Sequence, residues 1–299
     1  MSSTVQPRLH HVQCLDGRGL HRMAYWEWGD PSNDQVLVCV HGLTRQGRDF
    51  DVLARALSTH YRVVCPDVVG RGHSDWLADP MGYGVPTYVA DMVTLLARLD
   101  ARCVHWVGTS MGGLIGMGVA SLAGSPVQRL VLNDVGPVIQ PAFLARLGTY
   151  LGVPVTWPDE EAAADFLQTI SVGFGPHTRE QWMALTRPQL RPTADGLALR
   201  PHYDPAIAVP VRATTPEMAA MGQSALWAAY DRVQCPTLLL RGRQSDLLSE
   251  DTAREMGSRG PRARLVEFEG VGHAPTLVAD DQVAAVSSFL LDGVSGPRP

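Results

Sequence analysis

Short, uninterrupted apolar runs separated by helix-length segments constrain this chain more than any other feature. Val36–Val40, Arg62–Cys65, Val104–Val107 and Leu130–Leu132 recur through the first half, and Thr237–Leu240 and Ala263–Phe268 near the end. A run of Val and Leu without polar alternation fits a strand buried on both faces. Helical patterns lie between and after them, over Arg48–Leu57, Thr87–Leu99, Met111–Leu122, Glu250–Met256 and Asp280–Leu291. Strands separated by helices require right-handed crossovers, so the pattern predicts an α/β fold with a mostly parallel sheet and helices on both faces. Two β-rich segments, Leu9–Leu15 and Leu20–Trp28, flank Asp16-Gly17-Arg18-Gly19. Asp-Gly between such runs predicts a hairpin, which adds an antiparallel edge.

The rhythm breaks from Pro137 to about Arg232, where helical stretches at Pro141–Leu151, Asp159–Ile170 and Thr178–Leu185 are cut by prolines. The reading therefore divides the chain into core residues 1–136, an insert over 137–232 and core residues 233–299. Composition narrows the function classes. With 45% hydrophobic and 18% charged residues, the 299-residue chain is expected to fold. A formal charge of −5 gives no basic excess for nucleic acid or anionic membrane. No apolar run approaches the roughly 18 residues of a membrane helix. The start, MSSTVQPRLHHVQCLDG, lacks the apolar stretch of a secretory signal. The five cysteines include no CxxC pair, so neither a disulfide framework nor a zinc knuckle is expected. A cytoplasmic protein without metal is the expectation, and its oligomeric state stays open.

In open parallel sheets, ligands bind outside the carboxyl ends of the strands. The candidate chemistry is therefore sought just after each apolar run. Gly108-Thr109-Ser110-Met111-Gly112 follows one strand and opens a helix, the context of a nucleophile elbow. A serine capping a helix would satisfy the same letters. Ser110 needs a base to take its proton, and His273, between Gly272 and Ala274 after the last strand, stands in the right place. Two carboxylates could orient the imidazole. Asp246 follows Thr237–Leu240, and Asp134 follows Leu130–Leu132. Asp246 is preferred because it gives the chain order Ser, Asp, His, with Asp134 as the alternative acid. The backbone N–H groups of Leu43, after Val36–Val40, and Met111, after the nucleophile, are the expected oxyanion donors. His41 is expected to prop its loop, and Pro66–Ser74 is read as architectural.

His41-Gly42, Pro66-Asp67-x-x-Gly70-x-Gly72-x-Ser74, Gly108-x-Ser110-x-Gly112, Ser245-Asp246 and Gly272-His273 occur in an order that resembles the α/β-hydrolase superfamily over about residues 8–292. The resemblance implies an eight-stranded sheet, a helical lid inserted after the sixth strand, and no cofactor. Within the superfamily the chain looks like the serine branch of esterases, lactonases and carbon–carbon hydrolases, because Ser110 stands where dehalogenases and epoxide hydrolases carry aspartate. The expected activity is cleavage of a small to medium, partly apolar carboxylic ester through an acyl-enzyme. Acyl transfer, lactone opening and carbon–carbon cleavage are alternatives with the same triad, and a non-catalytic binding protein is a further one. Trp157 and Trp182 of the insert are the expected substrate-pocket residues.

Overall fold

The computed structural model describes residues 6–292. The reading of the first five residues, and the outer ends of the two core segments, lie outside that range. Strands β1 (Arg8–Asp16) and β2 (Gly19–Trp28) form the antiparallel hairpin, with Asp16 opposite Gly19 at the turn. Then follow β3 (Gln35–Val40), α1 (Asp51–Leu57), β4 (Arg62–Asp67), α2 (Val85–Leu99), β5 (Cys103–Thr109), α3 (Met111–Ala120) and β6 (Val127–Asn133). The insert carries α4 (Pro141–Tyr150), α5 (Glu160–Ile170), α6 (Arg179–Thr186), β7 (Leu190–Pro192), β8 (Leu199–Pro201), α7 (Ala208–Ala213) and α8 (Pro216–Arg232). The core closes with β9 (Thr237–Gly242), α9 (Glu250–Ser258), β10 (Arg264–Phe268) and α10 (Asp280–Leu291). The main sheet has eight strands in the order β1-β2-β4-β3-β5-β6-β9-β10, and all pairings from β4 to β10 are parallel.

The apolar runs are explained by the two sides of this sheet. Successive side chains of a strand point to opposite faces. Val36, Val38 and Val40 of β3 join Trp106, Leu130 and Leu132 on the face covered by Leu95 of α2 and Ile115 of α3. Leu37 and Cys39 join Val107, Val131, Leu238 and Leu240 on the other, covered by Leu53 of α1 and Val286 and Leu290 of α10. Both faces are covered, so apolar residues predominate in the central strands, and a buried polar one such as His105 of β5 has a partner, the Tyr61 hydroxyl 2.9 Å from its Nδ1.

The insert differs in two respects from the sequence reading, which placed no helix beyond Leu185 and no strand in that region. The hairpin β7–β8 is only three residues a side, too short to register as a pattern. Helix α8, at 17 residues, is the longest in the described chain. Its first half projects from the body with Met218 and Met221 exposed, and burial begins near Ala229 and Tyr230. A helix with so little buried face leaves little periodicity to read. Its start was legible: Thr215 accepts from the Met218 N–H at 3.3 Å and Pro216 follows.

One buried polar contact pins the edge hairpin to the body. His21, opposite Cys14 in the β1–β2 register, lies 3.0 and 3.1 Å from the two carboxylate oxygens of Asp91 on α2. Cys14, His21 and Asp91 are ligand-type side chains within metal-binding distance of one another, and the Nε2 of the histidine already pairs with the carboxylate. The Asp91 hydrogen bond outweighs burial and raises the His21 pKa above its ordinary 6.5, while burial pushes the Cys14 thiol up to about 12. A raised folded value stabilises the protein fully below the unfolded pKa and is lost as pH climbs through the folded one. The melting-temperature advantage of the wild type over His21→Gln should therefore narrow as the buffer is taken from pH 6 to pH 9. An advantage that stays constant across that range would mean a neutral hydrogen bond with no proton linkage.

Candidate active site

The elbow after β5 is built on close backbone approach. A Cβ on Gly112 would lie 1.9 Å from the Val40 carbonyl oxygen, and one on Gly108 would lie 2.2 Å from that of Gly112. Both glycines are thus required for α3 to start directly over β3 and β5. Ser110 between them adopts φ +51°, ψ −117°, a strained conformation that lifts its hydroxyl out of the strand–helix corner. Gly42 passes close beside it, with its Cβ position 3.8 Å from that of Ser110, and Leu43 lines the same cavity. Met111 opens α3.

Ser110 Oγ lies 3.0 Å from Nε2 of His273. The other ring nitrogen, Nδ1, lies 2.7 Å from Oδ2 of Asp134. A carboxylate only accepts, so Nδ1 carries the proton and Nε2 keeps a lone pair toward the serine hydroxyl. Asp134 directly follows β6, is fully buried and has φ +52°. Its Oδ1 accepts from the Gly242 N–H at 2.9 Å and its Oδ2 from the Ser245 hydroxyl at 2.6 Å. The loop after β9 therefore braces this carboxylate.

Asp246, the preferred acid of the sequence reading, is elsewhere. It forms a bidentate pair with Arg146 of α4, at 2.6 and 3.0 Å, and is about one-third exposed. Burial alone would raise its carboxyl, but the hydrogen bonds and charge of Arg146 hold it below the ordinary value. The structure thus places the alternative carboxylate, Asp134, against His273. The reason is register: β6 and β9 are neighbours with Asn133 level with Leu240, so Asp134 emerges beside Arg241 while Asp246 lies beyond the strand end.

The histidine loop is held from three sides. The Asn133 side chain donates to the Pro275 carbonyl at 2.7 Å. Phe143 of α4 meets the His273 ring edge-on at 4.9 Å. From the insert, the Gly173 carbonyl accepts from the Gly272 N–H at 2.7 Å, so close that a Cβ on Gly173 would lie 2.8 Å from the His273 backbone. His41 is spent on its own loop. It is fully buried, Nδ1–H donates to the Gly42 carbonyl, Nε2 accepts from the Val68 N–H, and burial lowers its pKa to about 3. Asp67 of the Pro66–Ser74 segment accepts the Gly47 and His73 N–H groups, an architectural role.

Two chambers open above these groups. The first, of about 110 Å³, holds Ser110 and His273 under Phe143, Leu147, Ser171 and Phe174. The second, of about 280 Å³, is walled by Trp157, Phe166, Val153 and Tyr203. Thr44, Arg45, Tyr150, Leu167 and Ile170 border both and form the neck. Trp157, an expected pocket residue, lines the second chamber and not the one that holds Ser110 and His273. Trp182 lines neither; it stacks behind Phe174 with ring centroids 6.0 Å apart, packing the wall from outside. Sequence reading missed Arg146, Leu147 and Tyr150. With Phe143 they follow the i, i+3, i+4, i+7 spacing of one helix face, a signal present in the letters.

Fold and site together define a hydrolase. A model of the alpha/beta hydrolase family matches residues 37–286, and the chain belongs to that family. It is an enzyme, a carboxylic ester hydrolase. The chain is 56% identical over 288 residues to a 3-hydroxybutyrate-oligomer hydrolase of Cupriavidus necator, spanning 96% of this chain and 98% of that protein. Among solved structures, a putative hydrolase from Rickettsia typhi superposes with a TM-score of 0.85 at 30% identity, covering 96% of this chain and 99% of that one. An alpha/beta hydrolase from Novosphingobium aromaticivorans gives 0.83 at 34%, covering 96% and 98%. No helix among the described residues is long and apolar enough to cross a membrane.

Proposed function

We propose that this enzyme hydrolyses short linear oligomers of 3-hydroxybutyrate, using Ser110 as nucleophile, His273 as base and Asp134 as the orienting acid. The observation that carries the chemistry is the unbroken hydrogen-bonded chain Ser110–His273–Asp134 on the wall of a chamber. The substrate class rests on the 56% identity to the Cupriavidus necator enzyme over nearly the whole of both chains. Residues 137–232 act as the lid, because Leu167, Ile170, Ser171 and Phe174 roof the chamber over the strand ends. The proposed location is the cytoplasm, where thiols such as Cys39 and Cys65 stay reduced.

The reaction follows from these roles. Ser110 Oγ attacks the ester carbonyl while Nε2 of His273 takes its proton. The N–H groups of Leu43 and Met111 receive the oxyanion, and one such donor is worth roughly 3–4 kcal/mol in another serine hydrolase. The imidazolium then protonates the departing alkoxide, which leaves as the hydroxyl end of a shorter oligomer. Water, deprotonated by His273, releases the acyl group and restores Ser110.

The test is product analysis on the 3-hydroxybutyrate dimer and trimer. Monomer should accumulate with wild-type enzyme and stay at background with Ser110→Ala. Should the enzyme turn over p-nitrophenyl butyrate through Ser110 but leave both oligomers intact, the substrate assignment fails while the mechanism stands.

A further inference from the structure

We propose that Arg146 is a carboxylate clamp, which receives the free acid end of the substrate's leaving group. The inference rests on the ester-hydrolase reading of the site and adds a specificity residue to it. Phe143, Arg146, Leu147 and Tyr150 bring one face of α4 to the catalytic chamber. Among the described residues two arginines line that chamber, Arg45 and Arg146. Arg45 is 12% exposed against 34% for Arg146, and it is tied to two groups: Nε and Nη2 donate to Asp49 at 2.7 and 2.8 Å, and Nη2 also donates to the Leu185 carbonyl at 3.0 Å. Arg146 gives Nε and Nη2 to Asp246, and no carboxylate among the described residues takes Nη1.

The spacing suits a short hydroxy-acid leaving group. The Phe143 ring packs against both groups, 4.9 Å from the His273 ring and 5.2 Å from the Arg146 guanidinium, centre to centre, so the base and the cation lie no more than about 10 Å apart. In a 3-hydroxybutyrate dimer the free carboxyl carbon stands four bonds from the scissile carbonyl carbon, roughly 5 Å at standard bond lengths. A carboxylate that close to the reacting centre cannot stay in the chamber without a donor. Arg146 supplies planar N–H groups suited to a carboxylate. Asp246 holds the guanidinium in place when substrate is absent, and its negative charge opposes an incoming anion.

The experiment compares cleavage of the inner ester of the 3-hydroxybutyrate dimer as its free acid and as its methyl ester, in which the terminal charge is capped. Wild-type enzyme should favour the acid at least tenfold in kcat/KM. Arg146→Gln should bring the ratio toward one, mainly through KM for the acid. Arg146→Lys should restore part of it, which separates charge recognition from packing. Asp246→Asn should raise the ratio further by removing the competing carboxylate. A wild-type ratio near one, or an Arg146→Gln loss shared equally by both substrates, would overturn the clamp. If neither dimer is cleaved while p-nitrophenyl butyrate is, the oligomer reading fails. 3-(Butyryloxy)propionic acid against its methyl ester, which carry the carboxyl on the departing alcohol, then decides the clamp by the same ratio and the same variants.

Discussion

Asp134→Asn is expected to lower kcat by about 10⁴-fold, the loss that the equivalent change produces in a serine protease. The cause is tautomer control. Asp134 takes the Nδ1–H of His273 at 2.7 Å, which leaves the Nε2 lone pair facing Ser110 at 3.0 Å. An asparagine there can donate its amide N–H to Nδ1, moving the ring proton to Nε2, where it blocks proton transfer from the serine. It also removes the negative charge that stabilises the imidazolium in the transition state. Asp246→Asn leaves both hydrogen bonds in place and should cost less than about tenfold on p-nitrophenyl butyrate. Thermal melts on both variants remove folding effects. A folded Asp246→Asn that is inactive beside an active Asp134→Asn would reverse the assignment of the acid.

Ser110→Ala should lower kcat by about 10⁶-fold, and the double variant Ser110→Ala/Asp134→Asn should be no slower than Ser110→Ala alone. Residues that act through one another are not additive. Once the nucleophile is gone, the orientation of His273 has no proton to direct. The residual rate then comes from the oxyanion donors and from binding, which neither substitution touches. A fluorophosphonate should label wild-type Ser110 and leave Ser110→Ala unmodified, as read by peptide mapping. If the second substitution cost a further 10³-fold on the folded Ser110→Ala background, Asp134 would be acting outside the triad.

The central sheet was legible because β3, β5, β6 and β9 are buried on both faces, which gives each a continuous apolar run in place of polar alternation. Ser110 and His273 were legible for a related reason. Ser110 lies between Gly108 and Gly112, where a Cβ would come within 2.2 and 1.9 Å of backbone oxygens, and His273 follows Gly272, where a Cβ would lie 3.0 Å from the Gln244 carbonyl oxygen. Helix α8 was obscure because half of it packs on nothing in the described chain, so its composition carries no burial pattern. Arg146 was overlooked because arginine on a surface helix is ordinary until one sees which helix face lines the chamber.

The sequence by itself determined the layer order and pointed to the serine at the elbow, the histidine after the last strand and the pair of carboxylates. These follow from local rules: apolar runs, strand-end position and glycine at points of close approach. Only the tertiary structure shows which of the two carboxylates lies against the imidazole. Asp134 and Asp246 follow neighbouring strands, and nothing in the intervening letters says which reaches the imidazole. The β6–β9 register and the left-handed turn at Asp134 aim one carboxylate at His273, while Ser245 and Gly242 lock it there. The other is drawn away by Arg146, a partner 100 residues distant in the chain. Which of two like charges finds which cation is a property of three-dimensional proximity, because an ion pair forms wherever the fold brings its partners within reach.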